Sequence, residues 1–144
     1  MQALIVNPGE GIDFGHGMLC RITSDSTEGA FCSFEVTLAP GEGLPLHVHA
    51  KESELYYILE GELEITCDDR VFIAKKGAMV FIPKTITHAF CNKSEQIVRM
   101  LNVFLPGGFD HLVTELSELP PEEASDKQKR EQIRAKHGIK FIED

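Results

Sequence analysis

The sequence lacks any excess of positive charge. Fourteen Lys and Arg residues stand against 23 Asp and Glu residues, which gives the 144-residue chain a formal net charge of −9 at pH 7. Nucleic-acid phosphates and anionic membrane surfaces both bind clustered Lys and Arg residues. The composition therefore argues against a nucleic-acid partner and against a membrane partner.

The sequence also lacks long apolar runs and paired cysteines. No stretch approaches the length of a membrane span, and residues 1–10 carry neither the basic start nor the apolar run of a signal peptide. The four cysteines are scattered, with no C-x-x-C pair, at Cys20, Cys32, Cys67 and Cys91. These features predict a cytoplasmic protein with free thiols, although four cysteines could pair in an exported protein.

The pattern that is present from residue 18 to residue 105 is that of β-strands. After a Gly-rich lead-in over residues 1–17, short segments alternate apolar and polar residues or are continuously apolar. The segment 55–59 is continuously apolar, which predicts a strand buried on both faces. The predicted strands cover residues 18–23, 31–38, 55–59, 62–66, 71–74, 78–82, 86–90 and 97–105.

Turns rich in Gly, Pro and Asp separate these segments, and no helix of crossover length lies between them. Regularly spaced short strands of this kind are typical of a β-sandwich or barrel. A parallel α/β sheet is excluded, because its strands need helical crossovers. The sequence therefore predicts one all-β domain over residues 1–144, with its barrel at about 18–105.

A helical extension is predicted after the barrel, over residues 109–138. It begins with an apolar stripe at helical spacing, formed by Phe109, Leu112, Val113 and Leu116, which we expect to dock on the barrel. Pro120 and Pro121 end this helix. A second, charge-rich helix follows over 122–137, with Ser125 as its N-terminal cap and Gly138 as its stop. Residues Ile139 and Phe141 are compatible with a short terminal strand.

The candidate chemistry lies between Gly41 and Asn92. His47 and His49 are two residues apart, so on a strand their side chains point to the same side. Glu54 begins the apolar strand, and His88 lies within a later strand. Imidazole and carboxylate groups are ligands that transition metals accept. A single histidine on a strand is more often a hydrogen-bonded core residue, so the prediction of a metal site depends on the whole set.

Two motifs carry a family resemblance. The pattern Gly41-x5-His47-x-His49-x4-Glu54-x6-Gly61 resembles the first conserved motif of the cupin superfamily, and Gly77-x5-Pro83-x-Thr85-x2-His88-x3-Asn92 is similar to the second. The resemblance implies a double-stranded β-helix, also called a jelly-roll barrel, and a homodimer. It also implies one divalent transition metal (Fe, Mn, Ni, Zn or Cu) held by His47, His49, Glu54 and His88.

One position departs from the family pattern. Thr85 stands where the family usually has Gly, and Gly normally permits an unusual turn backbone there. We therefore expect a slightly different turn before His88. Glu52 is a rival carboxylate, but it lacks the motif spacing and is expected to be a solvated loop charge. We expect surface positions for the remaining histidines (His16, His111 and His137) and a small core role for Cys91.

An apolar substrate pocket is expected around the metal. Tyr56 and Ile58 share the strand face of Glu54, while Ile86 and Phe90 share that of His88. Tyr56 is either a wall aromatic or a hydroxyl donor to a substrate. Further candidates, whose faces the pattern does not assign, are Phe34, Val36, Phe81 and Phe104. Arg99 either faces outward as a surface residue or faces inward to pair with an anionic substrate or with Glu54.

Three imidazoles and one carboxylate leave an octahedral metal two open positions, which suits a substrate together with dioxygen, or a chelating substrate. The segment from Leu105 to Phe109 also resembles small cupins related to quercetin 2,3-dioxygenase. The leading hypothesis is a metal-dependent oxygenase for a small organic molecule, with Glu54 as metal ligand and proton acceptor. The alternatives are a non-catalytic binding module and a non-oxidative isomerase or decarboxylase, because one fold hosts all three.

Overall fold

The computed structural model describes residues 1–142. Within this range the chain forms eleven strands and two α-helices. The strands are β1 (Ile12–Asp13), β2 (Met18–Ile22), β3 (Cys32–Leu38), β4 (Gly43–His49), β5 (Ser53–Glu60), β6 (Glu62–Cys67), β7 (Arg70–Lys75), β8 (Met79–Ile82), β9 (His88–Cys91), β10 (Val98–Leu105) and β11 (Ile139–Phe141). The helices are α1 (Phe109–Ser117) and α2 (Lys127–Lys136).

The strands form two antiparallel sheets. The six-stranded sheet has the order β1-β2-β3-β10-β5-β8, and the five-stranded sheet has the order β11-β4-β9-β6-β7. Strands that are distant in sequence become neighbours, as when β10 inserts between β3 and β5. The prediction of an all-β double-stranded β-helix is confirmed.

The core lies between the two sheets and follows the period-two alternation of the strands. On β3 the inward side chains are Cys32, Phe34, Val36 and Leu38, and on β10 they are Val98, Met100, Asn102 and Phe104. Each large apolar side chain removed from water contributes roughly 1.5–3 kcal/mol of transfer free energy. Asn102 is the polar exception on these two faces.

The prediction that residues 55–59 are buried on both faces is wrong. Strand β5 alternates, with Tyr56 and Ile58 fully buried and Tyr57 exposed. In the register of the sheet Tyr57 lies opposite Met79 on β8, and Leu55 lies opposite Phe81. We call Tyr57, Met79 and Phe81 the outer apolar patch. Phe81, a candidate pocket residue from the sequence, therefore faces outward.

The C-terminal elements cover the barrel as expected. Phe109 and Val113 of α1 pack against the core, and Leu112 is buried. The N-terminal cap of α2 is Asp126 rather than the expected Ser125, because the Asp126 side chain accepts a hydrogen bond from the Lys129 backbone N–H at 3.2 Å. Strand β11 confirms the expected terminal strand and pairs with β4. Over residues 1–142, neither helix has the length and apolar character needed to span a membrane.

All four cysteines are free thiols. Burial raises the pKa of Cys20 to about 12 and the pKa of Cys32 to about 11, which makes both thiols unreactive. Cys91 is only half-buried, with its Sγ 3.8 Å from the Gly41 carbonyl oxygen. The expectation of a core role for Cys91 is wrong, because the face of β9 opposite His88 is not packed inside the barrel.

Candidate metal centre

The four candidate metal ligands that the motifs predict lie on three strands, and both sheets contribute. His47 and His49 lie on β4 and His88 lies on the adjacent β9, where His47 and His88 are register partners. Glu54 lies on β5 in the facing sheet. All four side chains are buried, and their candidate ligand atoms lie within 4.8 Å of one another. The cluster can therefore hold a metal ion between the two sheets.

Each imidazole is oriented by a hydrogen bond at its Nδ1 atom. The Pro45 carbonyl oxygen lies 2.8 Å from His47 Nδ1, and the Ile86 carbonyl oxygen lies 2.9 Å from His88 Nδ1. Since a carbonyl oxygen can only accept, each of these Nδ1 atoms donates its proton. The Nε2 lone pair of a neutral ring is then free for a metal.

Glu52 orients the third imidazole. Its Oε1 atom accepts a hydrogen bond from His49 Nδ1 at 2.8 Å, and the residue is only 4% exposed. The expectation that Glu52 is a solvated loop charge is wrong. The connection between β4 and β5 spans only three residues, and from it the Glu52 side chain turns back to reach His49 Nδ1.

Glu54 presents its Oε2 atom to two imidazoles. It lies 2.6 Å from His88 Nε2 and 3.4 Å from His49 Nε2. Within residues 1–142, neither Glu54 Oε2 nor His88 Nε2 has a partner in hydrogen-bonding geometry, although both are buried. Buried polar atoms normally have partners, so this convergence fits a metal ion bound between them.

Burial and neighbouring charges shift the pKa values of three of the candidate ligands, His47, Glu54 and His88. Burial, followed by the neighbouring His88 ring, lowers the pKa of His47 to about 4. Burial would raise the pKa of Glu54, but the hydrogen-bonding and charge effects of the imidazoles outweigh it and lower that pKa. Burial opposes protonation of His88, yet the Glu54 carboxylate raises the pKa of that ring. A metal bound at these atoms would compete with protons for the same lone pairs.

Asn102 is a functional-site residue that the sequence analysis missed. It lies on the inward face of β10, is 5% exposed, and donates from Nδ2 to Glu54 Oε1 at 3.4 Å. Its Oδ1 atom has no hydrogen-bond partner within the described chain. The sequence did offer one signal: Asn102 is a polar residue at an alternating position between Met100 and Phe104, so it is expected on the same inward strand face.

A cavity of about 540 Å³ opens beside the four residues. His47, His49, Glu54 and Asn102 line its polar side. Its apolar side includes Phe34, Phe90, Phe104 and Phe109, and His16 and Glu42 also line it. Among the described residues that line this cavity there is no Lys or Arg.

The structure places the expected pocket residues in two groups. Phe90 lines the cavity, whereas Tyr56, Ile58 and Ile86 do not. Tyr56 and Ile58 are fully buried, and the Tyr56 ring packs edge-on against Phe90 at 5.9 Å between ring centroids. Burial and the charge of Glu54 raise the pKa of the Tyr56 hydroxyl, which is therefore neutral. Strand periodicity identified the inward face but not the depth of each residue along it.

Arg99 points away from the cavity. It pairs with Glu35 on the outer face of the six-stranded sheet and lies 3.8 Å from Glu60. Its side chain is 43% exposed. Of the two orientations left open by the sequence, the outward one is therefore confirmed.

The turn before His88 has at Thr85 a backbone conformation of the kind that Gly normally permits. Thr85 has a φ of +73°, which is the left-handed region that a β-branched residue rarely occupies. The expectation that Thr85 changes the turn is therefore wrong. The Thr85 backbone N–H donates to the His49 carbonyl oxygen at 2.8 Å, which ties the turn to the ligand strand.

The fold and the cluster together define a class. A double-stranded β-helix with three histidines and one glutamate converging between its sheets is the arrangement of a cupin. A family model described as the Cupin domain matches residues 34–104. The chain belongs to the cupin superfamily.

Individual relatives are distant. A 75-residue stretch, 52% of this chain, is 27% identical to the alginate biosynthesis protein AlgA of Pseudomonas aeruginosa. An 82-residue stretch, 55% of this chain, is 30% identical to quercetin 2,3-dioxygenase of Bacillus subtilis. The matched regions span only 16% and 24% of those two proteins.

Solved structures support the fold alone. The crystal structure of a predicted oxalate decarboxylase from Thermotoga maritima superimposes with a TM-score of 0.63. The alignment covers 72% of this chain and 99% of that one, at 23% identity. At this identity the likeness extends to the barrel and not to the reaction.

Proposed function

We propose that this cupin is a metal-dependent, oxygenase-type enzyme that acts on a small, flat, uncharged organic molecule. The observation that carries the proposal is the lining of the cavity beside the four candidate ligands. Aromatic rings form one side, polar donors and acceptors form the other, and no Lys or Arg is present among the described lining residues.

The absence of cations in this lining disfavours highly charged substrates. Proteins recognise phosphate and carboxylate groups with Arg and Lys. The acidic groups of this cavity are Glu54 and Glu42, and Arg99, whose inward orientation the sequence left open, is paired outside. A bound divalent metal would offset Glu54, but it would leave no second cation for a sugar phosphate or for the far end of a dicarboxylate.

The aromatic side fits a planar ring. Phe104 and Phe109 stack in parallel, with centroids 4.0 Å apart and an interplanar angle of 7°. Phe34 meets both edge-on, at 5.9 Å and 5.5 Å. The His49 ring lies 5.9 Å from each of the two stacked rings. A flat substrate can pack on this wall while its polar edge faces Glu54 and Asn102.

His47, His49, Glu54 and His88 would hold the metal, for which Fe, Mn, Ni, Zn and Cu are candidates. A bound metal would supply Lewis-acid polarisation of a substrate oxygen and, if redox-active, a route for electrons to dioxygen. Glu54 Oε2 would accept a proton from a substrate hydroxyl, and the pKa that the imidazoles lower supports this role. The phenylalanine wall keeps water from the reacting groups.

The similarity to quercetin 2,3-dioxygenase agrees with the oxygenase hypothesis. The decisive measurement is oxygen uptake by protein loaded with Fe(II), Mn(II) or Ni(II), against a panel of flavonols, diketones and catechols. We expect uptake with at least one compound, and loss of uptake in Glu54→Ala and His88→Ala. Glu60→Ala, an exposed carboxylate on the same strand, is the matched control.

The other outcomes separate the alternatives. Tight binding of panel compounds without oxygen uptake would support a non-catalytic binding module. Turnover under strict anaerobiosis would instead support an isomerase or a decarboxylase. Either result would contradict the proposed oxygen chemistry while leaving the ligand assignment intact.

A cytoplasmic location remains our proposal, and the four free thiols are compatible with it.

We also propose that the protein is a homodimer formed through the outer apolar patch. Met79 and Phe81 are 65% and 60% exposed on β8, which is the last strand of its sheet. A second copy related by two-fold symmetry can cover the patch and pair with the free edge of β8. Light scattering at micromolar concentration should give twice the chain mass, and Phe81→Glu should give a folded monomer. A monomeric wild-type mass would contradict the proposal.

A further inference from the structure

Only one of the two polar atoms of the Asn102 side-chain amide has a hydrogen-bond partner within the described chain. The Nδ2 group donates to Glu54 Oε1, while Oδ1 has no partner within the described chain. The side chain is buried and lines the cavity next to the candidate ligands. A buried acceptor in this state is unfavourable unless something donates to it.

The orientation of this amide follows from its neighbour. The two ends of an Asn amide differ only in being a donor or an acceptor. A carboxylate oxygen 3.4 Å away repels an amide oxygen and accepts from an amide nitrogen, so Nδ2 faces Glu54. The free atom is therefore the acceptor.

Other groups inside the barrel do not occupy this acceptor. The strand neighbours of Asn102 in the register are Phe34 on β3 and Tyr56 on β5. The ring of Phe34 has no donor, and the Tyr56 hydroxyl is not in hydrogen-bonding geometry with Asn102 Oδ1. A molecule in the cavity, which Asn102 lines, can supply the donor.

We propose that Asn102 is the specificity-determining residue of this site, and that its Oδ1 atom accepts a hydrogen bond from a hydroxyl group of the substrate. The proposal rests on the proposed function, since it assumes a flat organic ligand in the cavity. It narrows the substrate class to planar molecules that carry a hydroxyl group beside the metal-facing edge. A ligand without this hydroxyl leaves the acceptor unpaired and binds more weakly.

The test compares matched ligands that differ by one hydroxyl group. Zn(II)-loaded protein is titrated anaerobically with 3-hydroxyflavone and flavone, and with the smaller pair 3-hydroxychromone and chromone. Dissociation constants are measured by calorimetry, so the readout is binding and not turnover. The variants are Asn102→Leu, which removes the acceptor at similar volume, and Asn102→Ala. Val103→Ala, on the outward face of the same strand, is the matched control.

We expect the wild type and Val103→Ala to bind the hydroxylated member of a pair more tightly. In Asn102→Leu the affinity for the hydroxylated ligand should fall about tenfold or more, which corresponds to about 1.4 kcal/mol. The affinity for the ligand without the hydroxyl group should be unchanged or higher, because no unpaired acceptor remains. Asn102→Ala should show the same loss of preference if the leucine side chain disturbs the barrel. Zinc content and thermal unfolding are measured for each variant, to correct for any loss of metal or fold.

Three results would overturn the inference. Equal weakening of both ligands in both Asn102 variants would show that the residue only supports the cavity. An unchanged preference would show that the hydroxyl group is recognised elsewhere, with the flat-ligand proposal intact. Failure of the wild type to bind any of the four compounds would overturn this inference together with the proposed substrate class.

Discussion

Two ends of the barrel interior differ in packing, and strands β5 and β10 contribute to both. At one end Ile58, Leu63, Ile65, Val98 and Met100 are fully buried, and none of them lines the cavity. At the other end the interior opens into the 540 Å³ cavity beside the candidate ligands. We call these the packed end and the open end.

The change occurs within a few residues of one strand. On β5, Glu54 belongs to the open end and Ile58, four residues later, belongs to the packed end. On β10, Asn102 belongs to the open end and Met100, two residues earlier, belongs to the packed end. Because close packing supplies most of the stability and the open end supplies the chemistry, we expect substitutions at the two ends to have separable effects.

The largest expected effect is on metal binding at the open end. Changing His47 and His49 together to Ala should reduce bound metal to background, because two of four ligands are lost. The barrel should remain folded, since the packed end does not depend on the metal. Elemental mass spectrometry and circular dichroism measure the two properties. Retention of near-stoichiometric metal would show that the ligand assignment is wrong.

A substitution at the packed end should have the opposite consequence. Leu63→Ala removes a fully buried side chain and should lower the free energy of unfolding by about 2–5 kcal/mol. The folded variant should still bind metal at the wild-type ratio. Urea unfolding followed by circular dichroism measures the loss, with the exposed Val71→Ala as control. A loss of metal in the folded variant would mean that the two ends are coupled.

The smallest effect is expected at a residue that supports the open end without being a ligand. Glu52→Ala removes the acceptor of His49 Nδ1 and should weaken metal binding about 10–100-fold, with the metal-to-protein ratio restored at high metal concentration. Glu52→Gln, which keeps an acceptor, should lie between Ala and the wild type. Competition with a chelator measures the affinity, and the exposed Glu62→Gln is the control. Wild-type affinity in Glu52→Ala would show that the hydrogen bond does not orient the ring.

The sequence predicted the residues whose placement depends on spacing. His47 and His49 had to share a strand face, and the two motifs linked them correctly to Glu54 and His88, which the structure brings together. Strand alternation likewise predicted the inward faces of β3 and β10. Motif spacing and strand alternation are both local in sequence, so they can be recognised without the tertiary structure.

The errors concern properties that depend on how elements meet. Glu52 is buried because a short connection turns it back to hydrogen-bond His49 on the preceding strand, and a charged residue outside the motif gives no sign of this. Asn102 becomes part of the site only because β10 inserts beside β5. Tyr56 and Ile58 face the barrel interior as predicted but do not line the cavity. Strand periodicity does not show where along a strand a cavity ends.

Strand β11 links the last described residues to the ligand strand. Ile139 and Phe141 are register partners of His49 and His47, and the Ala50 backbone N–H donates to the Gly138 carbonyl oxygen at 2.8 Å. Residues about ninety positions apart in the chain thus form one hydrogen-bonded unit at the ligands. A shortened chain that ends before Gly138 would leave this edge of β4 unpaired. For protein engineering, β11 belongs to the metal-binding region, and fusion partners or immobilisation points are better placed at the other end of the chain.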